Sequence, residues 1–195
     1  MVELTKQQKK AIKAVGKACD GKSEKPIIRF VYSDGVNIYG TNAQILFMER
    51  GVRAPIGAYT PKEADCVSEK IKEDIDENLK KLHTCEEMNA KDGEKSSFFY
   101  QSKNAFDMKY KKELYQITFA YEEGGHFQTE DLFLKRLIDK AVAFVGKGFS
   151  LYQNAPRDPC GFESKDGKRL AFVMPILRTQ DIKILNDVDL NGGKK

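Results

Sequence analysis

Lys6, Lys10, Lys13 and Lys17 recur at i, i+4, i+7 and i+11 near the start of a 195-residue chain. On a helix that spacing lines the four up on one face. Aligned ammonium groups attract phosphates without reading any sequence. No acidic residue interleaves with them, although i,i+4 Glu–Lys pairs would stabilise a helix better. A polyanion partner and an ordinary solvated lysine face both remain open readings. Arg136 and Lys140 flank a second predicted helix in the same way. Residues suited to covalent or metal chemistry are scattered. Cys19, Cys66, Cys85 and Cys160 lie far apart without a CxxC, and His83 and His126 are not spaced with them as zinc ligands. His126 reads as a solvent-facing or capping residue, His83 as unremarkable, and Asp158 and Cys160 as turn chemistry around Pro159. There is no P-loop, nucleophile elbow or HExxH. The expectation is a non-enzyme with no metal and no cofactor, its thiols reduced, in the cytoplasm.

Charge distribution says more than the net charge of +4. Residues 61–95 hold seven lysines and eleven carboxylates, so that stretch is at −4 and the rest of the chain at +8. A basic body with an acidic excursion fits a polyanion partner. The opening MVELTKQQKK turns charged at once, which argues against a signal peptide, and no apolar run approaches a membrane span.

The elements that must position these residues follow from periodicity. Thr5 can cap a helix running to about Asp20, with Leu4, Ala11, Ile12, Val15 and Cys19 on its apolar face. Strands are predicted near 27–33, 36–41 and 44–50, with a tight turn at Ser33-Asp34-Gly35. Thr60-Pro61-Lys62-Glu63 has the form of a cap, predicting an acidic helix over 61–88. An aromatic and lysine-rich segment follows to 112 and reads as irregular β structure. Then come a strand over 113–122, a helix over Glu130–Val145 capped by Thr129, and strands at 149–155, at CGFES and at KRLAFVMPI. Helix–βββ is thus followed by strand–helix–βββ, a repeat of pattern rather than of letters. The apolar tail residues Ile182, Ile184, Leu185, Val188 and Leu190 predict an extra strand or turn. A segment covering the Met174–Leu177 stretch of its own chain or a neighbour's through Gln180–Leu185 is the other reading.

The segments ITFAYEEGGHFQ, TEDLFLKRLIDKAVAF, FSLYQNAPRDPCGFES and KDGKRLAFVMPILR, in that order, resemble the last domain of the bacterial DNA sliding clamp, the polymerase III beta subunit. The first helix with PIIRFVYSDGVNIYGTNAQILFMER resembles the first half of a clamp domain. The resemblance implies an α+β, DNA-clamp-like domain over 1–178, built of two helix-plus-β-meander halves with both helices on one face of the sheet. Residues 61–112 would be an insertion and 179–195 a C-terminal tail.

The resemblance also implies a function. Lys6, Lys10, Lys13, Lys17, Arg136 and Lys140 would face duplex DNA non-specifically. Val173, Met174, Pro175, Ile176 and Leu177 would line a groove for polymerase or other clamp-binding peptides. The residues alone allow Met174 and Ile176 simply to finish a core strand. The implied role is processivity or recruitment in replication, with a homo-oligomer needed if DNA is encircled. The alternative is a clamp-derived interaction module that takes peptides or a basic partner and leaves DNA alone.

Overall fold

The computed structural model describes residues 3–71, 75–89, 98–121, 127–176 and 181–191. The chain divides into two compact units, Met1–Met88 with Asp166–Ala171, and Asn89–Lys165 with Phe172–Lys195.

In the first unit, α1 (Lys6–Val15) continues into a 3-10 turn, Gly16–Ala18. Its start is a capping box. Thr5 Oγ1 accepts from the Gln8 N–H at 3.2 Å, and Gln8 Oε1 accepts from the Thr5 N–H at 2.8 Å. Next come α2 (Pro26–Arg29), β1 (Val31–Ser33), β2 (Ile38–Thr41), β3 (Ile45–Glu49), β4 (Gly57–Tyr59) and α3 (Ile75–Asn89). The sheet runs β4-β1-β2-β3, antiparallel throughout, and then to the Arg169–Ala171 part of a later strand. Helix α1 packs on one sheet face, with Ile12 and Val15 buried over β2 and β3. Gly40 makes that approach possible, because a Cβ there would stand 2.9 Å from the Val15 carbonyl oxygen. Side chains alternate along a strand, so Tyr39 faces the other way. There it meets α3, whose Leu79 and Leu82 are buried and whose Asn78 donates to the Tyr32 hydroxyl at 3.2 Å.

In the second unit, β5 (Phe98–Asp107), β6 (Lys112–Tyr121) and β7 (Phe127–Leu134) form an antiparallel meander. Helix α4 (Lys135–Val145) follows directly and buries Leu137, Ile138, Ala141 and Phe144 against β6 and β7 and against β9 (Cys160–Glu163). β8 (Ser150–Gln153) pairs with β9. β10 (Arg169–Val173) supplies Phe172 and Val173 to this unit. β11 (Ile182–Asp187) pairs with the outer edge of β5, so the sheet runs β11-β5-β6-β7.

Several expected bounds move. The strand expected from residue 27 begins only at Val31, because Pro26 starts a helical turn that is tied back by the Asp20 N–H on the Ile28 carbonyl, 2.8 Å. The acidic helix expected over 61–88 begins at Ile75. The cap-like Thr60 instead closes a turn: its carbonyl accepts from the Ala64 N–H and its hydroxyl from the Asp65 N–H, both at 3.0 Å. Ala64 at φ 64° then leaves the helical region. Thr129 lies in β7, which pairs with β6 from Phe127 to Leu134, so α4 begins at Lys135 rather than Glu130. The tail joins its own sheet as the expected extra strand, β11, with Ile182, Lys183 and Ile184 paired to β5; Gln180 lies outside the described residues.

Candidate nucleic-acid interface

Burying Ala11, Ile12 and Val15 of α1 fixes which side of the helix meets solvent. Lys6, Lys9, Lys10, Lys13 and Lys17 are all exposed there. The first turn holds no acidic residue, and none of the five lysines has a carboxylate partner among the described residues. The positive end of the helix dipole therefore adds to the lysines rather than being offset.

Two recesses adjoin the helix, and Lys13 lines both. One, about 630 Å³, is walled by Glu3, Leu4 and the lysines from Lys6 to Lys13. The other, about 780 Å³, lies between the 3-10 turn, α2 and the turn at 61–63, and adds Lys17, Lys22, Arg29 and Lys62. Cys19 borders it, but burial pushes its thiol up to about 12, so it stays neutral and donates to the Phe30 carbonyl at 3.3 Å. Lys9 was legible as one more lysine in the same run. Lys22, Arg29 and Lys62 were not, because only the fold brings them beside α1.

Arg136 and Lys140 are exposed on α4, in the second unit. The neighbouring Lys135 is occupied. It pairs with Asp139 at 2.9 Å, which holds its ammonium above the usual lysine range, and it lies 5.3 Å from the Tyr115 ring centre. The Tyr115 hydroxyl also donates to Asp139, at 3.1 Å.

Of the expected groove residues, Val173 is buried and Met174 is 45% exposed. β10 stops before Pro175, which has no N–H to give a ladder. Ile176 recovers one bridge, its N–H donating to the Leu132 carbonyl at 2.8 Å. Leu177 lies outside the described residues.

His83 proves to be engaged. Its Nε2 is 3.1 Å from Asp34 Oδ2, and its ring meets Tyr39 edge-on at 5.3 Å. The Tyr39 hydroxyl lies within hydrogen-bond distance of Asp34 (3.2 Å) and Glu86 (3.0 Å). Burial is the main cause that raises the Tyr39 phenol, so it stays protonated and donates. This cluster docks α3 on the sheet. No group of three or more His, Cys, Asp or Glu among the described residues is placed to hold a metal, and no described helix is long and apolar enough to cross a membrane. His126 lies outside the described residues.

No family model matches the sequence, and no curated protein matches it. Solved structures do. The sliding clamp (DNA polymerase III subunit beta) of Bartonella birtlesii, bound to griselimycin, aligns with TM-score 0.54 at 10% identity over 87% of this chain and 64% of that one. The beta subunit of Thermotoga maritima aligns with TM-score 0.51 at 8% identity over 92% and 68%, and that of Pseudomonas aeruginosa with 0.50 at 10% over 87% and 64%. The chain thus spans about two thirds of the length of the clamp chains it matches. At such identities the likeness is one of fold, and the chain is an α+β protein whose fold resembles the DNA polymerase III beta clamps.

Proposed function

We propose that this protein is a non-catalytic, clamp-fold factor that holds duplex DNA through the lysine face of α1 and serves replication as a processivity or recruitment factor. One observation carries the reading: five exposed lysines on α1 and the 3-10 turn that continues it, with no carboxylate partner among the described residues. From Lys6 to Lys17 the rise is about 16 Å, which matches roughly five phosphates of one strand. Ammonium groups on flexible stems attract phosphates without choosing bases, as a protein that must not stall on any sequence requires. Arg136 and Lys140 are assigned to the same task from the second unit.

The test is retention on duplex DNA at low salt for the wild type and for K6E/K10E/K13E/K17E. These side chains are exposed, so the variant is expected to fold, as checked by circular dichroism, and to lose retention. Unchanged retention by a folded variant removes α1 from the interface.

A second reading has its own observation, the exposed Met174 beside the half-buried Pro175 and Ile176. A protein-interaction module would bind an apolar clamp-type peptide there with little dependence on salt, whereas DNA retention falls steeply with it.

A further inference from the structure

The cleft beyond the lysine face differs in character from the face itself. It is a recess of about 780 Å³, within the range of small-ligand sites of about 300–1,000 Å³. Lys13, Lys17, Lys22, Arg29 and Lys62 line it, against the carboxylates of Asp20 and Glu63. The Asp20 carboxylate is already engaged by the Lys22 N–H at 3.1 Å.

Its apolar part is Phe30, half-buried, with the Arg29 guanidinium carbon 5.2 Å from the ring centre. Two close main-chain approaches frame the recess. Gly16 lies so close to Pro61 that a Cβ would meet the Pro61 carbonyl at 2.7 Å, and the Asp20 N–H holds the Ile28 carbonyl at 2.8 Å. Main-chain contacts thus hold the 3-10 turn, α2 and the turn at 61–63 around the recess, and the charged side chains line it.

A B-form duplex presents ridges of phosphate and keeps its base faces stacked, so it gains nothing from an aromatic ring lining a recess. An unpaired nucleotide offers both an anionic phosphate and a flat apolar face. Arginine planes and aromatic rings are the usual platforms for such faces. We propose that the cleft takes an unpaired nucleotide, with its phosphate among Lys17, Lys22 and Lys62 and its base on Arg29 and Phe30. This rests on the duplex reading only for its context: Lys13 borders both recesses, so a strand leaving a duplex held on α1 runs into the cleft. The nucleotide is either free or part of that strand.

The experiment is fluorescence anisotropy at about 50 mM salt. The probes are a labelled blunt duplex, the same duplex with a short unpaired tail, and dAMP as competitor. The tailed duplex is expected to bind about ten-fold tighter, the yield of about one stacked base. Two variants, R29Q/K62Q and F30L, are expected to remove that advantage while keeping blunt-duplex affinity within about three-fold. The first changes only exposed side chains, and the second keeps an apolar group at a half-buried position. Displacement of the tail's advantage by dAMP assigns the cleft to free nucleotide; resistance to millimolar dAMP assigns it to the strand. Equal affinity for blunt and tailed duplex without dAMP binding overturns the proposal, as does a proportional loss of both duplexes in the variants. Tail binding without blunt binding supports the cleft and sinks the duplex reading instead.

Discussion

Asp34 shows how one carboxylate can hold a turn and a helix together. Its Oδ1 accepts from the N–H groups of Val36 (2.8 Å) and Asn37 (2.6 Å), while Oδ2 receives Tyr39 and His83. Burial works to raise its pKa, but these donors outweigh it and leave the carboxyl below its ordinary value. A carboxyl with a depressed folded pKa adds stability above its unfolded value of about 3.9, and that contribution is lost as pH falls through the folded pKa. Asp34→Asn is therefore expected to cost about 1–3 kcal/mol at pH 7, since an amide cannot accept on both atoms, and less at pH 3. Urea unfolding at the two pH values measures this; an equal cost at both would mean that ionisation of Asp34 does not matter. The turn itself was legible, because Ser33-Asp34-Gly35 is turn chemistry by residue type. Its link to His83 was not, because the two residues lie 49 positions apart. Gly40 makes a second residue-scale case. Gly40→Ala would place a methyl 2.9 Å from the Val15 carbonyl and 3.0 Å from Cys19 Sγ. The expected cost is about 1–3 kcal/mol, read as a lowered thermal midpoint.

At the scale of elements, the strands bounded by turn residues and the Thr5-capped start of α1 were legible, and the starts of α3 and α4 were not. β2, β3, β6, β8 and β9 fall close to where β-prone runs, turn residues and, for β6, alternation put them, because those signals are local. Thr60 and Thr129 each looked like caps, yet the chain at both places found better partners in a neighbouring turn or strand. Propensity yields when a whole strand can pair. β11 follows the same logic. Its sequence carries too many apolar residues for a solvated tail, but nothing local says which strand it joins. It pairs with β5 through Ile182, Lys183 and Ile184, and Ser102 on β5 donates from its hydroxyl to the Val188 carbonyl at 2.6 Å. Ending the chain before Asp181 would turn β5, ten residues long, into a bare edge. The truncated protein is expected to lose amide protection along β5 by hydrogen exchange and to scatter more light on concentration. Full protection of β5 after truncation would show that β11 is an accessory.

At the scale of the whole molecule, the question is whether net charge or its placement governs attraction to DNA. The lysine spacing of α1 was plain in the sequence, but that α3 lies on the opposite sheet face was not, because only the packing of Tyr39 and Gly40 settles it. Two packing layers of about 10 Å each put the two helices roughly 20 Å apart, about two Debye lengths at physiological salt. A charge on α3 is therefore largely screened from a duplex lying on α1. This separates two variants of equal charge. K6Q/K10Q/K13Q/K17Q removes four positive charges from α1 and its 3-10 turn, and K80E/K81E changes α3 by the same four units at exposed positions. Each phosphate contact contributes about 0.9 to the slope of log affinity against log salt. The α1 variant is expected to lower that slope by about 3–4, and the α3 variant by less than about 1. Affinity titrations at several salt concentrations give both slopes. Equal losses would mean that the overall charge of the chain, not the face of α1, draws it to DNA, and the lysine face would lose its claim to be the site.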